Sequence, residues 1–358
     1  MFNLDDIINI SPYSLAKVEK EKLYAAALHD LTCHHYEHCL PYRKILDLLK
    51  FDPYHKHAIE EIPFLPVRLF KDYELLSVDK SEVIKTMVSS GTTGQKVSKI
   101  FLDRTTAAYQ TKVLAKITSH FIGPKRLPML IIDTRAVIKD RNLFSARGAG
   151  ILGFSMLGYD VTYALDENMG LDIEAINIFC EKHRNEDILI FGFTYMIWEF
   201  FYKKLIILNK KLFFERGILL HGGGWKKLIE QAVNNQTFKQ ALQKVCGIKK
   251  IYNYYGMVEQ TGSIFVECEK GHLHASIFSD VIIRDKKFSV CSLNQTGLVQ
   301  LVSLLPFSYP CHSILSEDLG EILGEDNCAC GRQGKYFKIH GRIKNAEIRG
   351  CSDSYAAG

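Results

Sequence analysis

The sequence predicts an α/β fold with mostly parallel sheets flanked by helices, and two features of the chain support it. Four short apolar runs recur in the middle of the chain, each followed by a loop bearing glycine or hydroxyl residues and then by a helical pattern. Strands that alternate with helices in this way form parallel sheets covered on both faces. Between the third and fourth runs, apolar residues fall at helical spacing, and Gly247 stands where a C-cap is expected.

The four runs place a set of loops at one edge of the predicted sheet. The runs are Leu127–Asp133, Asp187–Phe191, Gly217–Leu220 and Lys249–Asn253. Ligands of such sheets bind beyond the carboxyl ends of the strands, so the following loops are candidates for a site. These loops are Asp133–Ala136, Gly192–Tyr195, His221–Trp225 and Tyr254–Glu259. Gly222, Gly223 and Gly224 let a ligand approach the backbone closely, whereas plain connections are the alternative interpretation.

Composition and length narrow the class of protein. At 358 residues we expect one large domain with subdomains, or two domains. A net charge of +5 without a basic–aromatic run argues against nucleic acid binding. Asp5 and Asp6 stand where a signal peptide needs positive charge, and the apolar stretches are too short to span a bilayer, so we expect a cytoplasmic protein without a transmembrane segment. Its ten cysteines then predict thiols, metal ligands or a catalytic sulfur rather than disulfides.

A loop rich in hydroxyl groups and glycine lies upstream, within Met87–Ile100. It contains Ser89, Ser90, Gly91, Thr92, Thr93 and Gly94. The backbone N–H and side-chain hydroxyl groups of such a loop suit a polyphosphate, and Lys96 and Lys99 supply charge nearby. The spacing of a Walker A loop is absent, and taken alone a cluster of this kind is more often a surface turn.

Three later motifs follow this loop along the chain. They are Tyr255-Gly256-Met257-Val258-Glu259, Ser316-Glu317-Asp318-Leu319-Gly320, and Gly341-Arg342 followed by Lys344. Together with Ser89–Gly94 they resemble the ordered signatures of the acyl-adenylate-forming enzymes. Within that superfamily, HGGGWKKL, YYGMVEQTGSIF, SDVIIRD and GRIKNAEIRGCSD resemble the luciferin-component acyl-protein synthetases. These are fatty acid–protein ligases that supply a fatty-acid reductase, and the resemblance covers most of the chain.

The resemblance implies an acyl-adenylate-forming large N-terminal domain with mostly parallel sheets flanked by helices. Fourteen residues follow Lys344, so we expect the chain to lack the small C-terminal domain that carries the catalytic lysine in full-length acyl-CoA ligases. The predicted parts are a mainly helical N-terminal part at 1–85, an adenylate-forming α/β core at 86–344, and a C-terminal acceptor tail at 345–358.

The resemblance also implies roles for individual residues in binding ATP and Mg²⁺. Tyr255 would pack on adenine, with Gly256 beside it in the nucleotide-binding motif. Asp318 and Arg342 would lie at the ribose, and Glu259 would hold Mg²⁺. The hydroxyl-rich loop and the three consecutive glycines would contact the rest of the nucleotide.

Two departures from the family pattern affect the expected phosphate contacts. Lys96 and Val97 stand where the ordinary phosphate loop has Pro-Lys, so the charge must come from Lys96 or Lys99, and we assign the catalytic role to Lys99. Val258 replaces a threonine that would contact phosphate or magnesium. Backbone donors of the loop remain able to hold phosphate despite both changes.

The implied function is a two-step ligation. ATP activates a long-chain fatty acid to acyl-AMP, and a cysteine thiol then takes the acyl group for delivery to a reductase or acyltransferase partner. Cys351 is the predicted acceptor, because it lies seven positions after Lys344, within reach of the site, and Arg349 favours its thiolate. Two alternatives stay open: a ligase that hands the acyl group to coenzyme A or a carrier protein, and an inactive nucleotide-binding scaffold.

Two cysteine-bearing segments, Cys268–His274 and Cys328–Gly331, have the residue types of metal half-sites. Three thiols and a histidine suit tetrahedral Zn²⁺, and a glycine in each segment allows a tight turn. We predict a structural zinc set, with His272 as the substitute for His274. The set is Cys268, His274, Cys328 and Cys330. Two turns of reduced thiols are the alternative.

The histidine-rich stretch Thr32–Cys39 lies in a predicted amphipathic helix that begins near Leu23. Adjacent histidines point in different directions on a helix, so we expect mostly a polar helix face here. Other cysteines fall in apolar contexts and are predicted to be buried packing residues: Cys180, Cys246 and Cys291.

Overall fold

The structure is a computed structural model that describes residues 2–89, 97–138, 146–225 and 230–343. The described residues form two compact units. The first unit contains residues up to 117 together with those from 256 onward, and the second contains residues 118–255 outside the gaps.

The described residues contain nine α-helices. They are α1 (Lys17–His38), α2 (Leu40–Leu48), α3 (Leu69–Asp72), α4 (Arg104–Ile122), α5 (Ala146–Ser155), α6 (Ile173–Lys182), α7 (Thr194–Met196), α8 (Lys203–Ile207) and α9 (Asn235–Cys246). A π-helical segment, Ile197–Tyr202, joins α7 to α8. Short 3-10 turns also occur at Leu4–Asp6, Ile59–Glu61, Lys80–Glu82, Arg135–Ile138 and Val258–Gln260.

Fourteen strands are present in the same described ranges. They are β1 (Leu65–Pro66), β2 (Val83–Val88), β3 (Lys99–Asp103), β4 (Leu127–Thr134), β5 (Gly158–Leu165), β6 (Ile188–Phe193), β7 (Gly217–Gly222), β8 (Lys250–Tyr255), β9 (Phe265–Glu267), β10 (Leu273–His274), β11 (Ser279–Arg284), β12 (Gly297–Ser303), β13 (Ser313–Glu325) and β14 (Lys335–Arg342).

The second unit is built on a parallel sheet in the order β5–β4–β6–β7–β8. Its strands include all four apolar runs predicted from the sequence, and every residue of β6 and β7 is buried. Strands covered by helices on both faces lose the polar–apolar alternation of half-exposed strands, which is why these runs are continuously apolar. The predicted α/β architecture with parallel strands is confirmed in this unit.

Helix α9 shows how local sequence fixes an element that covers this sheet. The side chain of Asn234 caps its first turn by accepting from the backbone N–H of Thr237. Phe238 and Leu242 lie one turn apart and are buried in the core of the unit. Gly247 ends the helix with φ +70°, the left-handed conformation that glycine adopts without a Cβ clash, so the predicted C-cap is confirmed.

The first unit differs because its strands are mainly antiparallel. They lie in the order β11–β12–β13–β14–β10–β9, β1 pairs with β13 in parallel, and β2 pairs with β3 in a separate two-stranded sheet. Most of these strands follow one another through short connections, which favour antiparallel pairing. The pattern of apolar runs and helices did not predict this half of the architecture.

Helix α1 buries the histidines that we expected on a polar face. His34 is 7% exposed and His35 is fully buried, where its ring stacks on that of His312 with the ring centroids 5.0 Å apart. Ring nitrogens of His34 and His35 reach the backbone carbonyl oxygens of Phe307 and Pro306 at 3.0 and 3.1 Å. The prediction of a polar face is wrong, because backbone acceptors distant in sequence satisfy these rings in the interior.

The three cysteines predicted to be packing residues differ in their burial. Cys246 is fully buried as predicted, whereas Cys180 and Cys291 are only partly buried. Among the described helices, none has the length and apolar character needed to cross a membrane. The predicted parts at 1–85 and 86–344 remain predictions, and the acceptor tail at 345–358 lies outside the described residues.

Candidate active site and metal centre

The base of the predicted phosphate loop is closed by strands β2 and β3. Ser89 and Ser98 pair through their backbones, and the Ser89 hydroxyl accepts from the backbone N–H of Ser98 at 2.9 Å. Ser89 is buried, so its side chain seals the base of the loop. Lys99 follows directly and is exposed at the start of β3. The other predicted loop residues lie outside the described residues: Ser90, Gly91, Thr92, Thr93 and Gly94.

The glycine loop follows β7 at the carboxyl edge of the parallel sheet. A Cβ on Gly222 would lie 2.5 Å from the ring of Tyr254, so only glycine fits beside that ring. Gly223 has φ +74°, a conformation that L side chains rarely adopt. Among the described residues, a Cβ on Gly224 would meet no atom within 4 Å, so they leave this backbone open to an approaching ligand. The neighbouring β8 ends at Tyr255, which is partly buried.

His221, the residue before the glycines, is buried and neutral. Burial, followed by the charge of Lys239, lowers its pKa to about 3. Thr194 Oγ1 lies 3.0 Å from His221 Nδ1 and donates to the carbonyl oxygen of Gly222 at 3.2 Å. Since a hydroxyl has one proton, Nδ1–H must donate to Thr194, which leaves Nε2 as an acceptor. Sequence reasoning treated this residue only as part of the loop.

Glu259 lies in a 3-10 turn of the first unit that is held from several sides. Glu259 is 3% exposed, and its backbone carbonyl accepts a hydrogen bond of 2.9 Å from the hydroxyl of Tyr309. The side-chain amide of Gln260 donates to the carbonyl oxygen of Cys311 at 2.8 Å. These bonds fix the turn that presents the predicted magnesium ligand.

Helix α4 supports the same turn. The amide of Gln110 donates to the hydroxyl of Tyr309 at 3.2 Å, so the Tyr309 hydroxyl both accepts and donates. Gly262 approaches the backbone of Gln110 so closely that a Cβ would lie 2.7 Å from it, with φ +88°. Gly256, at the start of the motif, sits against Ile264, where a Cβ would meet the side chain at 3.1 Å.

Asp318 and Arg342 stand opposite each other on β13 and β14. Arg342 Nε lies 3.6 Å from Asp318 Oδ1, and the two side chains are 38% and 18% exposed. The structure therefore brings together the two residues predicted to contact ribose, and both remain accessible to a ligand.

The cysteine and histidine residues predicted as a metal set converge in the first unit. Cys268, His274, Cys328 and Cys330 offer ligand atoms that all lie within 4.8 Å of one another. Cys268 Sγ and Cys328 Sγ are 4.0 Å apart, and Cys330 Sγ lies 3.3 Å from His274 Nε2. Tetrahedral Zn²⁺ with bonds of about 2.3 Å separates its ligand atoms by about 3.8 Å. Three thiols and one imidazole at these distances fit zinc.

Two tight turns aim these ligands inward. Gly271 and Gly331 both have φ +81°, and their backbone N–H groups bond to the carbonyl oxygens of Cys268 and Cys328 at 2.9 Å. The local reason for the turns is therefore the glycine in each segment, as the sequence indicated. The substitute ligand His272 also lies close, with Nδ1 3.4 Å from Cys328 Sγ.

Comparison with known proteins identifies the family. The sequence model of the family described as "Acyl-protein synthetase, LuxE" matches residues 2–357. The chain belongs to the acyl-protein synthetase family. It is therefore a ligase of that family, and the resemblance read from the motifs is confirmed.

Curated relatives of this acyl-protein synthetase carry the name long-chain-fatty-acid–luciferin-component ligase. The Vibrio harveyi ligase is 23% identical over 366 residues, covering 98% of this chain and 92% of the relative. The Photorhabdus luminescens ligase is 36% identical over 102 residues, covering 28% of this chain and 86% of the relative. The Aliivibrio fischeri ligase is 23% identical and covers 84% of this chain and 79% of its own length.

Solved structures with the same fold include 2-hydroxyisobutyryl-CoA ligase. Its open conformation in complex with 2-HIB-AMP and CoA has a TM-score of 0.70 and 14% identity, covering 93% of this chain and 77% of that chain. Its thioesterification state has a TM-score of 0.71 and 16% identity, covering 93% and 70%. At this identity the likeness concerns the fold, and the predicted adenylate-forming fold class is confirmed.

The acyl-protein synthetase chain also contains site residues that sequence reasoning missed. Tyr309 and Gln110 hold the Glu259 turn, and no motif in the sequence indicated either residue. In the second unit Arg147, which no motif indicated, forms a buried ion pair with Asp133 of the first candidate loop, with Arg147 Nε 2.7 Å from Asp133 Oδ2. The predicted acceptor Cys351 lies outside the described residues.

Proposed function

We propose that this protein activates a long-chain fatty acid with ATP and then transfers the acyl group to a cysteine thiol. The observation that carries the proposal is the family match over residues 2–357, supported by relatives named long-chain-fatty-acid–luciferin-component ligase that align over most of the chain. Family membership indicates the class of reaction but not the length of the fatty acid, so the preferred acyl chain length is the first property to measure.

The chemistry divides into two steps. A carboxylate oxygen of the acid attacks the α-phosphorus of ATP, forming acyl-AMP and releasing pyrophosphate. The thiolate then attacks the acyl carbonyl, a thioester forms, and AMP leaves with the carboxyl oxygen. Backbone donors of the phosphate loop and the charge of Lys99 would stabilise charge on the phosphates.

The nucleotide contacts of this reaction are assigned to residues of the sequence motifs. Asp318 and Arg342 would hold the ribose, and Tyr255 with Gly256 would contact adenine. The glycines Gly222, Gly223 and Gly224 would let the nucleotide reach the backbone beyond β7, where Gly224 offers open space.

Glu259 is the residue that would hold Mg²⁺. A carboxylate oxygen is the ligand type that Mg²⁺ prefers, and the turn that carries Glu259 is fixed by Tyr309 and Gln260, so the donor set fits the ion. Bound there, Mg²⁺ would neutralise phosphate charge during adenylation.

Acid-dependent ATP–pyrophosphate exchange tests the first step. We expect exchange with long-chain fatty acids, and its loss in Glu259→Gln with the thermal unfolding temperature unchanged. Full exchange in Glu259→Gln contradicts the magnesium assignment, and no exchange with any fatty acid contradicts the proposed function.

Covalent labelling tests the second step. Incubation with ATP, Mg²⁺ and radiolabelled fatty acid should leave hydroxylamine-labile label on the protein. Label that appears instead on added coenzyme A or carrier protein favours the alternative ligase. We propose that an acyl reductase or an acyltransferase receives the thioester in the complete reaction.

We also propose that the cysteine and histidine set binds one structural Zn²⁺. Three thiols and an imidazole within 4.8 Å are the chemistry of a structural zinc site. The ion would tie the turn after β9 to the loop between β13 and β14. Metal analysis of the purified protein should find about one Zn²⁺ per chain, whereas a metal-free, fully folded preparation would show that these are ordinary thiols.

A further inference from the structure

A surface segment of the second unit exposes large apolar side chains among lysines. The segment spans residues 203–214, from α8 through a turn to the stretch beside the end of α9. Its exposed apolar residues are Ile206 (53%), Ile207 (74%), Leu208 (49%) and Phe213 (76%). A cluster of exposed large apolar side chains is typical of a surface that binds a partner or a membrane.

The end of α8 turns three of these side chains toward water. Leu205 is fully buried and anchors the helix to the core. Asn209 has φ +48°, and the backbone N–H of Lys210 bonds to the carbonyl oxygen of Leu205 at 2.9 Å, which reverses the chain. The residues between this anchor and the reversal, 206–208, therefore lie on a projecting corner.

The stretch after the turn exposes the fourth side chain. Leu212 and Phe214 are buried, and their backbone N–H groups bond to carbonyl oxygens at the end of α9 at 3.1 and 2.8 Å. Side chains alternate along an extended stretch, so Phe213 points away from the core that its neighbours enter.

Positive charge predominates within this segment. Residues 203–214 contain four lysines and no aspartate or glutamate. Lys203 pairs with Glu199 at 2.7 Å. Lys204, Lys210 and Lys211 form no ion pair with any residue in the described ranges, so their ammonium groups are available to an outside anion.

Other exposed apolar residues lack this setting. Leu48 is the most exposed, at 84%, but it follows Asp47 and lies near Asp52 in sequence. Phe288 and Val290 follow Asp285 in a hairpin. The segment 203–214 differs in combining four exposed large apolar side chains with four lysines and no acidic residue.

We propose that this corner, Lys204–Phe213, docks the protein on an anionic phospholipid bilayer. Apolar side chains on a projecting chain reversal suit insertion between lipid headgroups, and flanking lysines attract phosphate-bearing anionic lipids. Long-chain fatty acids partition into bilayers, so docking would place the enzyme where its substrate is concentrated. That purpose rests on the proposed function, whereas binding to lipid is tested without it.

Vesicle flotation with the full chain tests the proposal. We expect binding to vesicles of equal parts phosphatidylglycerol and phosphatidylcholine, weakened by salt, and much weaker binding to phosphatidylcholine alone. The double variant Ile207→Glu/Phe213→Glu should lose binding. Changing Lys204, Lys210 and Lys211 together to Gln should reduce it, by about fivefold per lysine. Leu48→Glu, on α2, is the matched control and should bind as the unmodified protein does.

Three outcomes would overturn the docking surface. The unmodified protein fails to bind anionic vesicles, the double variant binds them as well as the unmodified protein, or Leu48→Glu loses binding equally. Sedimentation velocity tests whether a second copy of the chain binds this corner instead. If the protein self-associates, the double variant abolishes that association, and no vesicle binding is found, the corner is an interface between copies and the proposal is wrong. Pyrophosphate exchange with a short, water-soluble acid, measured in parallel, separates failure here from failure of the proposed reaction.

Discussion

The hydroxyl of Tyr309 donates a hydrogen bond of 2.9 Å to the backbone carbonyl oxygen of Glu259, fifty residues away in sequence. Tyr309 is fully buried, and burial is the main reason why its pKa is well above the usual value, so the hydroxyl keeps its proton. The side-chain amide of Gln110 in turn donates a hydrogen bond to the hydroxyl oxygen of Tyr309. The residue proposed to hold Mg²⁺ is therefore held through its backbone carbonyl by the hydroxyl of Tyr309.

Tyr309→Phe removes this bond and keeps the ring. We expect the Mg²⁺ concentration that gives half-maximal pyrophosphate exchange to rise about fivefold, the equivalent of one hydrogen bond, with a smaller change in maximal rate. The unfolding free energy should fall by about 1–2 kcal/mol, because the Gln110 amide loses its acceptor.

Tyr42→Phe is the control for this prediction. Tyr42 is also fully buried, and its hydroxyl lies 3.3 Å from His312 Nε2, away from the Glu259 carbonyl. It should lower stability without changing the Mg²⁺ dependence. Equal Mg²⁺ dependence in both tyrosine variants would show that Tyr309 is a structural residue only.

Replacing one zinc ligand should remove the metal and destabilise the first unit. We expect Cys328→Ser to bind no zinc and to lose about 3 kcal/mol or more of unfolding free energy, because binding of a structural zinc is coupled to folding. A chelator should lower the unfolding temperature of the unmodified protein but not that of Cys328→Ser. Cys291→Ser, which changes a partly buried thiol outside the set, should keep its zinc.

The buried histidines predict a loss of stability in mild acid. Burial lowers the pKa of His312 to about 3 and that of His35 well below its usual value, so both are neutral in the folded protein. The unfolded chain binds their protons as pH falls below about 6.5, so stability decreases from there toward pH 3. Each histidine removes about 2 kcal/mol between pH 6.5 and 5.

Denaturant unfolding at several pH values measures this effect. His312→Gln should flatten the decline between pH 6.5 and 5 by about half of the total from the pair. The titratable groups near the two rings are His34 and His38 from α1, and Tyr42 from α2. An unchanged slope in the variant would assign the acid sensitivity to other groups.

The glycine loop offers a matched pair of substitutions. Gly222→Ala places a methyl group 2.5 Å from the Tyr254 ring and should cost about 1–3 kcal/mol of stability through overpacking. The methyl group of Gly224→Ala would meet no atom of the described residues within 4 Å, so the unfolding temperature of this variant should barely change. If ATP approaches this backbone, Gly224→Ala should still raise the KM for ATP in pyrophosphate exchange. An unchanged KM would remove Gly224 from the nucleotide site.

The sequence predicted those parts of the molecule whose physics is local. Strands β6 and β7 are continuously apolar because both faces are covered, and Gly247 and Gly271 adopt left-handed conformations that glycine signals directly. The cysteine and histidine set was predictable for the same reason, since glycine turns and soft ligands occur together in two short segments.

The parts that sequence reasoning missed depend on partners far along the chain. His35 is buried because the carbonyl oxygen of Pro306, 271 residues away, satisfies its ring. Tyr309 bonds to Glu259, 50 residues away in sequence, and no motif around either residue predicts this contact. A histidine-rich helix face therefore appears polar in the sequence, because the distant backbone acceptors that allow its burial are not predictable from the residues next to it.

Cys351 remains the predicted acyl acceptor. The resemblance places Gly341–Lys344 beside the ribose, and the strand that carries Arg342 brings it 3.6 Å from Asp318. The seven chain steps from Lys344 to Cys351 reach at most about 25 Å when extended, enough to span an active site. Arg349, two positions earlier in the sequence, supplies a positive charge of the kind that favours a thiolate.

Cys351→Ser separates adenylation from acyl transfer. Acid-dependent pyrophosphate exchange should be retained, because the thiol takes no part in forming acyl-AMP, while hydroxylamine-labile label from radiolabelled fatty acid should disappear. Cys291→Ser should keep both activities, since loss of a different thiol leaves the acceptor intact. Undiminished label on Cys351→Ser would place the acceptor elsewhere, and label found only on added coenzyme A would replace the acyl-protein reaction with the alternative ligase. Loss of exchange together with label would instead show that the tail is needed for the adenylation step itself.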